Sequence, residues 1–301
     1  MRVDLGGIRM KNPVTVASGT FGYGAEYAKL VDVTRLGAIT VKGIRLQPWP
    51  GNPLPRHVEV PGGMVNAIGL QGPGVEGFAR DYMPFLRTTG VPVIVNIWGT
   101  REEEYAEVAR RLSEVEGVSG LELNISCPNV KEGGHAFGTD PLTVASLVAA
   151  VRRATRLPLM PKLAPNVPDI RLFVRAAQEA GADALALINT LPAMVIDIET
   201  RRPVLANKVG GLSGLAIHPV AVKLVWEAAQ AARVPLLAMG GIVGPEQAIE
   251  FLVAGASAVA VGTANFIDPT TPLRVLEGIE AYLRRHGMNT VAALTGSLRT
   301  E

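Results

Sequence analysis

Cysteine is almost missing from this chain: Cys127 is the single one in 301 residues. That excludes an internal disulfide framework and a protein-only four-cysteine centre, and it makes a reducing, cytoplasmic setting the simplest expectation. Charge is scarce as well. Asp, Glu, Lys and Arg supply 19% of the residues, against roughly 25% in ordinary soluble domains. Lys and Arg number 29 against 27 Asp and Glu, a net charge of +2, so no strong field draws nucleic acid or an anionic membrane. Long apolar runs are missing too. None approaches the roughly 18 residues of a spanning helix, and the opening stretch lacks the apolar segment of an export signal. A soluble protein is expected. Hydrophobic residues nevertheless reach 48%, which excludes disorder and points to many strands buried on both faces.

Eight short runs rich in Val, Ile, Leu and Ala carry that apolar content: 14–17, 38–41, 93–97, 121–125, 159–163, 184–188, 236–239 and 258–261. Each ends in polar residues or glycine, and none alternates cleanly, as buried parallel strands should not. Helical patterns follow them. Tyr105, Val108, Ala109, Leu112 and Val115 share one face, and further helices are expected over 26–35, 76–87, 168–180, 217–232 and 273–285. Asp140 with Pro141 makes a helix start, Pro245 opens another, and Gly181 and Gly255 stand where C-caps belong. Eight strands alternating with helices predict a (β/α)8 TIM barrel, with a doubly wound sheet as the rival. Two stretches, 44–74 and 189–214, are too long for plain connections, and the second holds a hairpin from 195–200 back through 203–206. Both leave the C-terminal ends of strands, where inserted loops and hairpins serve binding or act as lids. No linker or repeat interrupts the pattern, so residues 1–301 are read as a single domain.

Polar residues gather at those strand ends. Taken singly, a glycine after a strand is usually a turn and a lone Asn a cap, but a barrel brings all eight ends into one bowl. Lys42 and Lys162 are costly in apolar strands unless they meet an anion or strong acceptors. The pairs Gly240-Gly241 and Gly262-Thr263 match the usual phosphate site of such barrels. Asn66, Asn96, Asn124, Asn129 and Asn189 both donate and accept, which suits a flat heterocycle edged with amide groups. Cys127, between Ser126 and Pro128, is the obvious acid–base or nucleophilic group. His57, His135, His218 and His286 lack metal-ligand spacing, so no protein-bound metal is expected.

The stretch Asn124-Ile125-Ser126-Cys127-Pro128-Asn129-Val130-Lys131, continued by Gly133-Gly134 and Ala136-Phe137-Gly138-Thr139, closely resembles the catalytic loop of dihydroorotate dehydrogenases. It is similar to class 1 enzymes, which use Cys as base, and most similar to the class 1B catalytic subunit. Ala17-Ser18-Gly19-Thr20, Lys42-Gly43-Ile44, Asn66 through Gln71, Gly210-Gly211-Leu212-Ser213-Gly214 and Gly240-Gly241-Ile242 extend the likeness through nearly the whole chain.

The resemblance implies an FMN barrel that oxidises dihydroorotate to orotate in pyrimidine synthesis. It implies FMN contacts from Ser18, Lys42, Gly43, Asn96, Asn124, Lys162, Ile188, Gly214, Gly240, Gly241, Gly262 and Thr263. Substrate contacts would come from Lys42, Asn66, Ala67, Ile68, Gly69, Leu70, Asn124, Asn129, Asn189 and Thr190, with Cys127 removing the C5 proton. Many relatives carry Asn where this chain has Gly72, so no role is carried to that position. A homodimer is expected, and class 1B relatives pair with an electron-transfer subunit that carries FAD and an iron–sulfur cluster. This chain offers no cluster ligands and no nicotinamide fold, which leaves open whether NAD⁺ through a partner or fumarate takes the electrons. Rivals with related chemistry are tRNA-dihydrouridine synthase, disfavoured by the +2 charge, and dihydropyrimidine dehydrogenase. A non-redox barrel such as a sugar-phosphate isomerase is the rival of a different class.

Overall fold

The computed structural model describes residues 1–125 and 137–300. All eight apolar runs are strands of one sheet: Val14–Val16, Ile39–Ile44, Val93–Ile97, Val118–Asn124, Leu159–Lys162, Leu185–Leu187, Leu236–Met239 and Ala258–Val261. Numbered in that order, they lie side by side as 1-8-7-6-5-4-3-2, and every ladder is parallel. The last seam, between strands one and two, is closed by single bonds. Gly37 N–H donates to the Val14 carbonyl at 2.8 Å, and the fully buried Thr15 hydroxyl donates to Ala38 O at 2.8 Å, with Thr40 Oγ1 3.3 Å away. With helices between the strands this is the expected (β/α)8 barrel.

Val14, Val16, Ile39, Val41, Val93, Val95, Leu121 and Leu123 face the helices and form the larger core. Inside the barrel the side chains are smaller: Ala38, Ala184, Ala186, Ala258 and Ala260 meet Ile94, Met160 and Leu237. The N-terminal end is plugged by a hairpin that sequence reading missed, Val3–Leu5 paired with Ile8–Met10. Its signal was present in the sequence. Leu5, Ile8 and Met10 alternate and are buried, and Gly6 and Gly7 take φ of +62° and +98°, the turn that two central glycines favour. The plug leaves the C-terminal end of the barrel as the open bowl.

The helices are largely as expected. Asp140 caps Pro141–Ala154 by accepting from Thr143 N–H, and Asp169 caps Ile170–Glu179. Two expectations need correction. Residues 26–35 form two single 3-10 turns, Tyr27–Lys29 and Val33–Arg35, instead of a helix. The Asp32 carboxylate accepts from both the Thr34 N–H and its hydroxyl, diverting backbone that a helix would need. The helix over 76–87 is two, Gly74–Asp81 and Met83–Thr88, broken where Pro84 cannot donate to the preceding turn.

The two long stretches, expected as loops and lids, pair with each other. Leu191–Met194, Val209–Ser213, Gly63–Asn66 and His57–Val60 form one antiparallel sheet in that order, over a small core of Val65, Ala67 and Leu205. The expected hairpin within the second stretch is present, Ile196–Asp197 against Arg202–Pro203. This second sheet stands beside the bowl and carries Asn66. Among the described residues, no helix is long and apolar enough to cross a membrane.

Candidate active site

Strand register decides which polar residues meet. Asn96 on strand three lies beside Glu122 on strand four, Asn124 beside Lys162 on strand five, and Lys162 beside Ala186 on strand six. Ser18 follows strand one, and its hydroxyl donates across the barrel to Glu122 Oε1 at 2.8 Å. Asn96 Nδ2 donates to the same oxygen at 2.6 Å. Glu122 has no exposed surface, and its second oxygen has no hydrogen-bond partner among the described residues. A bare buried carboxylate oxygen is expensive.

Lys42 and Gly43 belong to strand two. Burial pulls the Lys42 ammonium below its ordinary pKa and the Arg56 guanidinium adds to that, against an opposing pull from Glu26. A desolvated ammonium of this kind is ready for an anion. Lys162 is 6% exposed. A Cβ on Gly43 would come within 2.9 Å of Asn96 Oδ1 and 3.3 Å of Leu70 Cδ2, so strand two, Asn96 and the segment 66–70 lie in direct contact. That segment is pinned from below. Asn52 Nδ2 donates to Ala67 O and Asn52 N–H to Ile68 O, both at 3.0 Å, and Gly69 packs on the Asn52 side chain.

A second chain of contacts crosses the bowl. Asn189 Nδ2 donates to Asn124 Oδ1 at 3.3 Å, Thr190 N–H donates to Asn189 Oδ1 at 2.9 Å, and Asn66 Nδ2 donates to Gly211 O at 3.4 Å. The Thr190 hydroxyl lies directly over Gly211, where a Cβ would be 1.9 Å from it. The substrate amides predicted on strands four and six are thereby joined to the second sheet.

The glycines converge opposite. Thr263 Oγ1 donates to Ser213 Oγ at 2.8 Å, and a Cβ on Gly241 would sit 2.9 Å from Gly214 O. Gly241 takes φ of +70°, and its bare Cα admits the close approach of these two turns. Gly262 is open: a Cβ there meets nothing closer than 3.6 Å. Ile188 N–H ties strand six to Met239 O at 3.1 Å. His218, unassigned by sequence reading, braces this end. Its Nδ1 donates to Gly240 O at 2.9 Å and its Nε2 lies 2.5 Å from Glu250 Oε2.

The structure thus brings together Ser18, Lys42, Gly43, Asn96, Asn124, Lys162, Ile188, Asn189, Thr190, Gly214, Gly240, Gly241, Gly262, Thr263 and the segment Asn66–Leu70. Cys127 and Asn129 lie outside the described residues. Gly72 makes an isolated bridge with Trp49, and a Cβ there would meet Gly43 O at 2.8 Å. Glu122 is the site residue that sequence reading passed over. Its signal was a carboxylate between Leu121 and Leu123 in an apolar strand, the same anomaly that marked Lys162.

A bowl with an amide-rich floor beside a buried lysine, and a glycine cradle opposite, suits a planar heterocycle that carries a phosphate. Comparison with known proteins gives the class. The family model for dihydroorotate dehydrogenase matches residues 1–283. The catalytic subunit of dihydroorotate dehydrogenase B (NAD(+)) from Pelobacter propionicus is 54% identical over 298 residues, 99% of this chain and 98% of its own length. Its counterparts in Geotalea daltonii and Desulforudis audaxviator are 53% and 54% identical over 299 and 295 residues, covering 98% and 96% of those proteins. The matches span nearly the whole chain, and the chain belongs to the dihydroorotate dehydrogenase family.

Proposed function

We propose that this chain is the FMN-binding catalytic subunit of a class 1B dihydroorotate dehydrogenase, oxidising dihydroorotate to orotate in the pyrimidine pathway to UMP. Residues 1–301 act as one barrel domain. The observation that carries the reading is the pairing, in one bowl, of the Gly214–Gly241–Gly262 cradle with the Asn124–Asn189–Thr190 amide chain.

The residues fit the cofactor. Space beside the Gly262 Cα is open for a phosphate, and the side chains of Ser18, Asn96 and Asn124 give the floor hydrogen-bonding groups for the edges of a ring. Gly214, Gly240, Gly241, Gly262 and Thr263 would hold the phosphate. Ser18, Lys42, Gly43, Asn96, Asn124, Lys162 and Ile188 would hold the ring system. FMN, when bound, supplies the acceptor for a hydride.

The chain does the rest. Lys42, Asn66, Asn129, Asn189 and Thr190 hold the carboxylate and imide edge of dihydroorotate, with the backbone of Ala67, Ile68, Gly69 and Leu70 closing over it. Cys127, as thiolate, takes the proton from C5 while the hydride leaves C6, and the C5–C6 double bond forms. Lys162 stands at the floor, where negative charge develops as the reaction proceeds.

The names of the relatives, with NAD(+) and a catalytic subunit in them, support an electron route through a second subunit carrying FAD and an iron–sulfur cluster, on a homodimer of this chain. The chain itself has one cysteine, too few for a cluster. The spacing G-x-G-x-x-G does occur at Gly72, Gly74 and Gly77, but it follows an isolated bridge to Trp49 in place of the parallel strand of a dinucleotide fold.

The test is to identify the flavin released on denaturation, then measure turnover of dihydroorotate with NAD⁺, with fumarate and with an artificial acceptor. The expected pattern is FMN, turnover with the artificial acceptor, and NAD⁺ reduction only after the partner subunit is added. Efficient fumarate reduction by the isolated chain would contradict class 1B.

A further inference from the structure

Glu122 is a fully buried carboxylate that forms no ion pair among the described residues. One of its oxygens accepts from two groups predicted to touch the cofactor, Ser18 at 2.8 Å and Asn96 at 2.6 Å. Glu122 Oε1 is the acceptor in both bonds, and this has a consequence for both partners. Ser18 has a single O–H, and with it given to Glu122 the hydroxyl offers only lone pairs to anything else. Asn96 can satisfy Glu122 only through Nδ2. The reversed amide would set two acceptor oxygens against each other at 2.6 Å. Its orientation is therefore fixed, with Oδ1 on the side of Gly43 and accepting no hydrogen bond among the described residues.

We infer that Glu122 is a positioning residue that locks Ser18 and Asn96 as hydrogen-bond acceptors for a ring N–H of the bound flavin, an inference that rests on the cofactor reading above. A flavin carries one such donor, the imide N3–H between two carbonyls. Two preset acceptors select for it, and they bind a ring alkylated at N3 poorly. Glu122 touches neither cofactor nor substrate and acts through the two side chains that it orients.

The test uses the full-length protein stripped of flavin and titrated, by flavin fluorescence, with FMN and with N3-methyl FMN. Wild type is expected to prefer FMN by at least about tenfold. In Glu122→Gln the side-chain amide can donate as well as accept, Asn96 is free to turn over, and the preference should fall below about threefold. The added methyl has the same bulk in both proteins, so the change in preference isolates hydrogen-bond polarity from fit. Equal preference in wild type and Glu122→Gln overturns the role of Glu122. No preference in wild type overturns it without recourse to any variant. Failure of wild type to bind either flavin overturns the cofactor reading and this inference together.

Discussion

Lys42 and Lys162 stand out in the sequence because an ammonium in an apolar strand demands a partner, and both reach the bowl. The desolvation that pulls Lys42 below its ordinary pKa, reinforced by Arg56, also works against the ligand-free fold. The folded protein holds this proton less tightly than the unfolded chain, so below the folded pKa the charge costs stability. That cost fades as pH rises through the folded pKa toward the unfolded value of about 10.4. Lys42→Met is expected to raise the thermal midpoint of the ligand-free protein at neutral pH and to weaken orotate binding by at least about tenfold. Scanning calorimetry and titration check both; a lowered midpoint would contradict the account. Cys127 makes the sharper prediction. Cys127→Ser should slow reduction of bound flavin by dihydroorotate about 10²-fold or more with flavin still bound. In wild type that rate should climb with pH through the thiol pKa, about 8.5 for a free cysteine. Stopped-flow reduction across pH is the measurement, and an unchanged rate in the variant removes Cys127 from the role of base. At this scale sequence reading finds residues whose cost is visible alone. Glu122 has the same cost, yet its meaning depends on Ser18 and Asn96, which only strand register sets beside it.

The barrel strands were legible because each is a short apolar run covered on both faces, and the eight predicted runs all lie in the barrel. The second sheet was not legible. Its strands come from two stretches more than a hundred residues apart, are half exposed, and contain Pro192, Gly210 and Gly211, which read as loop. Pairing between them is a long-range fact with no local pattern. The 3-10 turns at 26–35 were missed for the opposite reason: a local side-chain bond from Asp32 overrides an acceptable helical pattern. Two substitutions test these elements. Gly211→Ala would drive a methyl into Thr190 Oγ1, 1.9 Å from its ideal position, and displace the strand whose carbonyl receives Asn66. Orotate affinity should fall at least about tenfold with FMN content unchanged, and unchanged affinity would detach the second sheet from the site. Thr15→Val keeps the volume but removes the hydroxyl that closes the seam between strands one and two. It should cost about 1–3 kcal/mol of stability, since Ala38 O loses a buried donor. The urea midpoint reads this, and no shift would show that the seam closes without it.

For the molecule as a whole, the residues predicted to carry the chemistry gather at the open end of the barrel. The chain can take electrons from its substrate but has no cluster of its own to pass them on, which is why a partner subunit enters the reading. Sedimentation of the purified chain is expected to give a dimer before any partner is added. The central claim concerns the half-reaction that this chain performs by itself. The protein loaded with FMN is mixed anaerobically with dihydroorotate in a single turnover, and oxidised-flavin absorbance and orotate are followed together. The account predicts loss of the flavin band with stoichiometric appearance of orotate, and no such loss with dihydrouracil. Flavin that stays oxidised in the presence of dihydroorotate, or that is reduced equally well by dihydrouracil, would contradict it.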